Sequence, residues 1–286
     1  MKICSIGCKL HKEDLNKKSI SILKKTLKSK KPIELACSKH NQFTTKDIKK
    51  MSLFSFDSSK IFYHIDYDIF DINTYINDFN NKTILLDSLI EEIEMAIMLN
   101  SGNIILHLEK NVHEKIDLTD FEFFLNKVIM LFKTLYSTFP PSKDLVIYIE
   151  NTYYSKELYD KLILTLKEHG YNVGFTLDIG NIKIWTNNSL YEWLELSKKF
   201  VLKNVPLHFH IHSNNGVEDR HIPFHEAFNN EADFIDIRQN SDNHYSSNTV
   251  FYIKNIIEEY SNHKKVSFIF EIDIFKVNKE EVFFCS

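Results

Sequence analysis

The run Leu145-Val146-Ile147-Tyr148-Ile149-Glu150 is five apolar residues closed by a carboxylate. An unbroken apolar run of this length reads as a β-strand covered on both faces, the kind found in parallel sheets whose crossovers are helices. Working outward, the run extends over Asp144–Glu150, and seven others resemble it: Lys2–Gly7, Pro32–Cys37, Lys60–Ile65, Asn103–Glu109, Asn172–Asp178, Pro206–His212 and Val266–Ile272. Helical periodicity fills the intervals. Ile20, Leu23 and Leu27 share one face, as do Leu158, Leu162 and Leu166, and Ser88–Leu99, Thr119–Leu135, Ser189–Phe200 and Thr249–Tyr260 carry the same period. Eight such steps in 286 residues predict the α/β class and a (β/α)8 TIM barrel spanning 1–286 as a single domain. An open doubly wound sheet would call for a glycine-rich phosphate loop, and neither GxGxxG nor GxxxxGK followed by Ser or Thr occurs.

Composition supports a folded chain of ordinary kind. Apolar residues make up 43% and charged residues 26%, which excludes collagen, a long coiled coil and wholesale disorder. The net charge is −4, and Arg220 and Arg238 are the only arginines, so no general polyanion-binding surface is indicated. Cys4, Cys8, Cys37 and Cys285 form no CxxC pair, and no run of eighteen apolar residues or long apolar leader occurs. The expectation is a reduced, cytoplasmic protein that does not span a membrane. The polar stretch from Ser213 to roughly Asn248 is long enough to read as an active-site loop.

In a barrel of this kind the active site lies at the carboxyl ends of the strands. Strand three closes on His64, four on His107, five on Glu150, six on Asp178, seven on His210 and eight on Glu271. Taken singly, a strand-end histidine is a hydrogen-bonded structural residue and an acid is a helix N-cap. Taken together, six metal-competent side chains on consecutive strands converge on one mouth. Mixed imidazole and carboxylate ligands suit Zn, Mn, Fe or Co, and a cation removes the cost of burying those carboxylates.

The segments Ile149-Glu150-Asn151, Gly174-Phe175-Thr176-Leu177-Asp178-Ile179-Gly180-Asn181, His210-Ile211-His212-Ser213-Asn214-Asn215-Gly216 and Asp219-Arg220-His221-Ile222-Pro223 resemble, in order, motifs of the xylose-isomerase-like TIM barrels. That superfamily joins sugar phosphate isomerases and epimerases with endonuclease IV, AP endonuclease family 2. The resemblance runs from strand three onward and is weakest over the first fifty residues. It implies that Glu150, Asp178, His210 and Glu271 hold a central divalent ion (Zn, Mn, Mg or Co). It further implies that His64 and His107 share a second ion with Glu150, and that Asp219 and His221 contribute to a third, giving one to three ions. Asn181 stands where the family has a histidine for the third ion, and His225-Glu226-Ala227 stands where it often has Gly-Glu-Gly. Without glycine that loop takes another path, carrying His225 either into the site as a donor or ligand or into solvent.

Two reactions follow from the resemblance. In the first, a sugar or sugar phosphate is isomerised or epimerised: Glu150 and Glu271 take and return a proton through an enediolate while Asp178 and His210 anchor the ion. His107, His212 and Arg220 then hold substrate oxygens, with Asn181 and Tyr67 beside them. In the second, an endonuclease IV-like enzyme cleaves a phosphodiester at an abasic site, the one reading in which nucleic acid is a partner. Asn181 thins its third ion site, and Asp68 beside Tyr67 would repel backbone phosphate, so the isomerase or epimerase is the favoured expectation. A non-catalytic barrel serving as a binding protein is the third.

Overall fold

Eight parallel strands pair in sequence order and close on themselves: β1 (Ile6–His11), β2 (Ile33–Ala36), β3 (Ile61–His64), β4 (Asn103–Leu106), β5 (Val146–Glu150), β6 (Val173–Asp178), β7 (Leu207–Ile211) and β8 (Val266–Phe270). A computed structural model of the chain describes residues 6–109, 121–139, 145–152, 154–185, 190–213, 220–227, 249–260 and 263–285. Among them are eleven helices: α1 (Lys17–Lys28), α2 (Thr45–Met51), α3 (Ile72–Asn77), α4 (Phe79–Met98), α5 (Phe121–Thr138), α6 (Lys156–Glu168), α7 (Ile179–Trp185), α8 (Leu190–Leu202), α9 (Phe224–Ala227), α10 (Thr249–Tyr260) and α11 (Val277–Cys285). The expected TIM barrel is the observed fold. No helix among the described residues is long and apolar enough to cross a membrane.

Local sequence explains where the outer helices begin and which face they bury. Asn16 accepts from the backbone N–H of Lys18 and Ser19 and opens α1, whose Ile20, Leu23 and Leu27 turn inward. Ser155 caps α6, which buries Leu158, Leu162 and Leu166. Helix α4 starts well before the expected Ser88, because Asp78 caps it by accepting from the N–H of Asn80 and Asn81. Between barrel and helices the packing is aromatic and tight. The Trp193 ring lies 5.8 Å from that of Tyr159 and 6.2 Å from that of Phe175.

The inner face decides the function. Pleating turns every second strand residue into the barrel, where alternate strands contribute side chains to successive layers. At the base, Phe62 stacks on His208 at 4.0 Å, and Tyr148 lies 5.4 Å from Phe62. Toward the mouth, the strand registers set Lys9, His64, Glu150 and His210 of the odd strands in one layer. His107, Asp178 and Glu271 of the even strands follow above them.

The first strand departs from expectation. The apolar pattern places it at Lys2–Gly7, yet the strand is Ile6–His11; residues 2–5 lie outside the described set. Lys9 in its centre is too polar for an inward position on its own, but it meets two carboxylates there. Of the loop expected over Ser213–Asn248, the described parts hold an antiparallel bridge between Ser213 and Ile222 and the short helix α9. Asp219 lies outside the described residues.

Gly174 tests the interior packing. A Cβ there would fall 2.4 and 2.5 Å from two ring atoms of Tyr148. Gly174→Ala is expected to cost about 1–3 kcal/mol of stability, read from the shift in denaturant midpoint. Tyr148→Leu in the same chain is expected to recover part of that loss.

Candidate metal centre

Each predicted strand-end residue reaches the same place. His64 Nε2 and His107 Nε2 both stand 3.1 Å from Glu150 Oε2. His210 Nδ1 is 3.4 Å from Glu150 Oε1, 3.0 Å from Glu271 Oε2 and 3.8 Å from Asp178 Oδ2. His212 Nε2 lies 2.9 Å from Asp178 Oδ1 and 3.8 Å from Glu271 Oε2. All are buried except His107 and His221, which are partly covered. His221 takes the left-handed conformation at φ 47° and packs its ring 4.4 Å from that of His212.

The backbone around Asp178 holds it rigidly. Its Oδ1 accepts from the N–H groups of Gly180 and Asn181 at 2.7 and 3.0 Å, opening α7, so it is a helix cap as well as one of the converging carboxylates. Asn151, fully buried, accepts from the Asp178 N–H at 2.6 Å and donates to the Asp178 carbonyl at 3.1 Å. Asn181 donates its amide to the Asn151 carbonyl at 3.2 Å and lies 3.5 Å from Glu150 Oε1, bracing that carboxylate from the first turn of α7.

His64 Nδ1 is 3.0 Å from the Ile65 carbonyl, which only accepts, so Nδ1 carries the hydrogen. Burial, and then the Lys9 ammonium, push the His64 imidazole below its ordinary value and keep it neutral. Its Nε2 therefore turns a lone pair toward Glu150 Oε2, an acceptor facing an acceptor. A cation between them resolves the conflict, and two ligand atoms on one ion stand about this far apart. His107 Nε2, His210 Nδ1 and Glu271 Oε2 are buried without a well-formed hydrogen bond. Burial would raise the Glu150 carboxyl, but His107 and His210 outweigh it and hold it well below the usual range. Burial would lower His210, yet Glu271, Glu34 and Glu150 hold it well above. This excess of negative charge, with imidazole donors interleaved, fits a divalent ion.

Four overlapping donor sets lie close enough to share an ion: His64, His107 and Glu150; Glu150, Asp178 and His210; His212, His221 and Glu271; and Glu34, His64, His210 and Glu271. Above them opens a cavity of about 640 Å3 whose lining includes Tyr67, Asp68, Glu109, Asn181 and His221. Tyr67 is more than half exposed at its rim, and Arg220 is exposed and outside the lining. His225 reaches neither site nor open solvent. Its N–H donates to Glu280 Oε1 at 3.0 Å and its Nδ1 lies 2.5 Å from the same oxygen, tying α9 to α11.

Residues that carry no strand-end signal complete the interior. Lys9 Nζ is 2.8 Å from Glu34 Oε1 and in closer contact with Glu271 Oε1. Glu34 Oε2 takes His208 Nε2 at 3.1 Å and His210 Nε2 at 2.8 Å. The available signals were a single charge inside Pro32–Cys37 and the period-two His208, His210, His212 pattern. Glu109, just past β4, accepts from the Thr152 hydroxyl.

Compared by sequence, the chain matches no family model and no curated protein. Compared by structure, it superposes on a D-tagatose 3-epimerase-like protein with a TM-score of 0.60 at 16% identity, covering 97% of both chains. A xylose isomerase domain protein from Planctomyces limnophilus gives 0.58 at 13% identity, over 99% of this chain and 96% of that one. The TTHB071 protein from Thermus thermophilus, from a crystal soaked with ZnCl2, gives 0.55 at 16% identity, over 76% and 81%. The chain has the fold of the xylose isomerase-like TIM barrel proteins.

Glu109 gives this region a pH dependence. Burial pushes its carboxyl from an ordinary 4.5 up to about 8. The folded chain keeps this proton while the unfolded chain releases it, so stability falls as pH rises between those two values. Glu109→Gln is expected to remove a slope of up to about 1.4 kcal/mol per pH unit, seen by urea denaturation at pH 5, 6.5 and 8.

Proposed function

We propose that the protein is a divalent-metal-dependent sugar isomerase or epimerase in which Glu150 and Glu271 exchange a proton with the substrate. The observation that carries this reading is the pair of acceptors, His64 Nε2 and Glu150 Oε2, 3.1 Å apart beneath a cavity with room for a monosaccharide. An ion held by Glu150, Asp178, His210 and Glu271, with His64 and His107 beside Glu150, would polarise the adjacent carbonyl and hydroxyl oxygens of a bound sugar.

The remaining steps belong to side chains. Glu150 on β5 and Glu271 beyond β8 approach the His210 ring from different strands, at 3.4 and 3.0 Å. One carboxylate removes the proton on the carbon beside the carbonyl. The other delivers a proton to the opposite face of the resulting enediolate, so the stereocentre inverts and no proton is gained or lost overall. His107, His212 and His221 supply imidazoles to substrate oxygens, and Tyr67 offers a ring at the entrance; Arg220 would serve only by swinging inward. The D-tagatose 3-epimerase-like neighbour supports a ketose as substrate.

Phosphodiester cleavage at abasic sites is the competing reading, favoured by the meeting of His64 and His107 on one oxygen of Glu150. Asp66 and Asp68 at the cavity wall oppose it, since they face the path a phosphate backbone would follow.

Incubating the protein with Mn2+ and a ketohexose in D2O is expected to yield the epimer with solvent deuterium at the inverted carbon. Chelator should abolish the exchange. Glu150→Gln and Glu271→Gln should each lower turnover by at least about 100-fold with thermal unfolding still cooperative. Chelator-sensitive nicking of an abasic duplex, with no deuterium exchange, would replace this reading with the nuclease.

A further inference from the structure

Beneath the centre lies a second place where negative charge converges, and a side chain already fills it. Lys9 is 4% exposed, and its Nζ sits between Glu34 Oε1, at 2.8 Å, and Glu271 Oε1. The same two carboxylates, with His64 and His210, bring ligand atoms within 4.8 Å of one another, as a metal site does. Glu34 is fully buried, and its other oxygen binds His208 and His210. Two buried carboxylates this close need a positive charge between them, since an unpaired buried ion costs several kcal/mol.

We propose that the Lys9 ammonium is a resident cation occupying an inner cation position built by the facing carboxylates of Glu34 and Glu271. It limits ion binding to the outer level of the barrel. Two consequences follow from the contacts. Glu271 Oε1 is held by Lys9, so Oε2 alone is left toward His210 Nδ1 and His212. Glu34 Oε2, accepting from His210 Nε2 at 2.8 Å, turns the other ring nitrogen of His210 toward the centre, as carboxylates behind metal-binding histidines do. Lys9 and Glu34 are thus positioning residues. The limit on outer ions rests on the metal-centre reading, while the inner position rests on these contacts alone.

The test counts metal rather than turnover. Wild-type protein, Lys9→Met, and Lys9→Met with Glu34→Gln are dialysed against Mn2+, and bound ions per chain are measured alongside melting temperatures with and without Mn2+. Methionine keeps the length of the lysine stem without its charge. Lys9→Met is expected to bind one more Mn2+ per chain than wild type and to gain more in melting temperature from Mn2+. The double variant should return to the wild-type count. Equal counts in all three would overturn the proposal, and so would a Lys9→Met chain that fails to fold even in millimolar Mn2+. If wild type binds no Mn2+ while Lys9→Met binds one ion that Glu34→Gln removes, the proposed function falls and the inner position stands.

Discussion

The constraint on which this molecule depends is that a closed eight-stranded barrel must bury every second strand residue, and here many of those residues are charged. Lys9, Glu34, Glu150, Asp178 and Glu271 are each under 5% exposed, and His208, His210 and His212 are fully covered. Removing one partner from such an arrangement typically costs about 3–5 kcal/mol, because it strands a charge away from water. The interior is therefore a single electrostatic unit. Lys9 joins Glu34 to Glu271, Glu34 joins His208 to His210, and His210 faces Glu150, Asp178 and Glu271.

That unit sits on an apolar floor and under an open mouth, which gives the barrel a polarity along its axis. Phe62, Ile105 and Tyr148 form a closed cluster at the base, with His208 stacked on Phe62 and bonded to Ser267 at 2.7 Å. Upward, the residues become ligand-like, and at the rim they become solvent-facing. The centre is held on rigid elements: Asp178 caps α7, Asn151 clamps the Asp178 backbone from both sides, and Asn181 braces Glu150. Side chains fixed this way lose little freedom when an ion or substrate arrives, which is where pre-organisation contributes to binding and rate.

The fold carries less information about the reaction than the site does. At 13–16% identity, the neighbours establish a shared barrel, and barrels of one architecture host many chemistries. The chemistry of this chain lies in its own interior. An ammonium stands among the carboxylates, an asparagine occupies position 181, and the His225 loop is tied to Glu280 on α11 instead of entering the cavity.

The order of strands and helices, and six of the residues that converge inside the barrel, could be read from the amino-acid order alone. Apolar runs such as Val146–Ile149 advertise strands covered on both faces, and a polar residue closing such a run in the inward phase of the pleat points to the barrel mouth. His64, His107, Glu150, Asp178, His210 and Glu271 were legible for that reason. Lys9 and Glu34 were not, because a charge within a strand is costly until its counter-charge is known, and theirs come from strands far away along the chain. For the same reason the apolar pattern ends β1 too soon, at Gly7 instead of His11. Which oxygen of each carboxylate is engaged, which nitrogen of His64 and His210 faces the converging carboxylates, and where His225 is anchored became clear from the folded chain alone. Those choices arise when eight strands close and bring groups from distant positions within hydrogen-bonding reach.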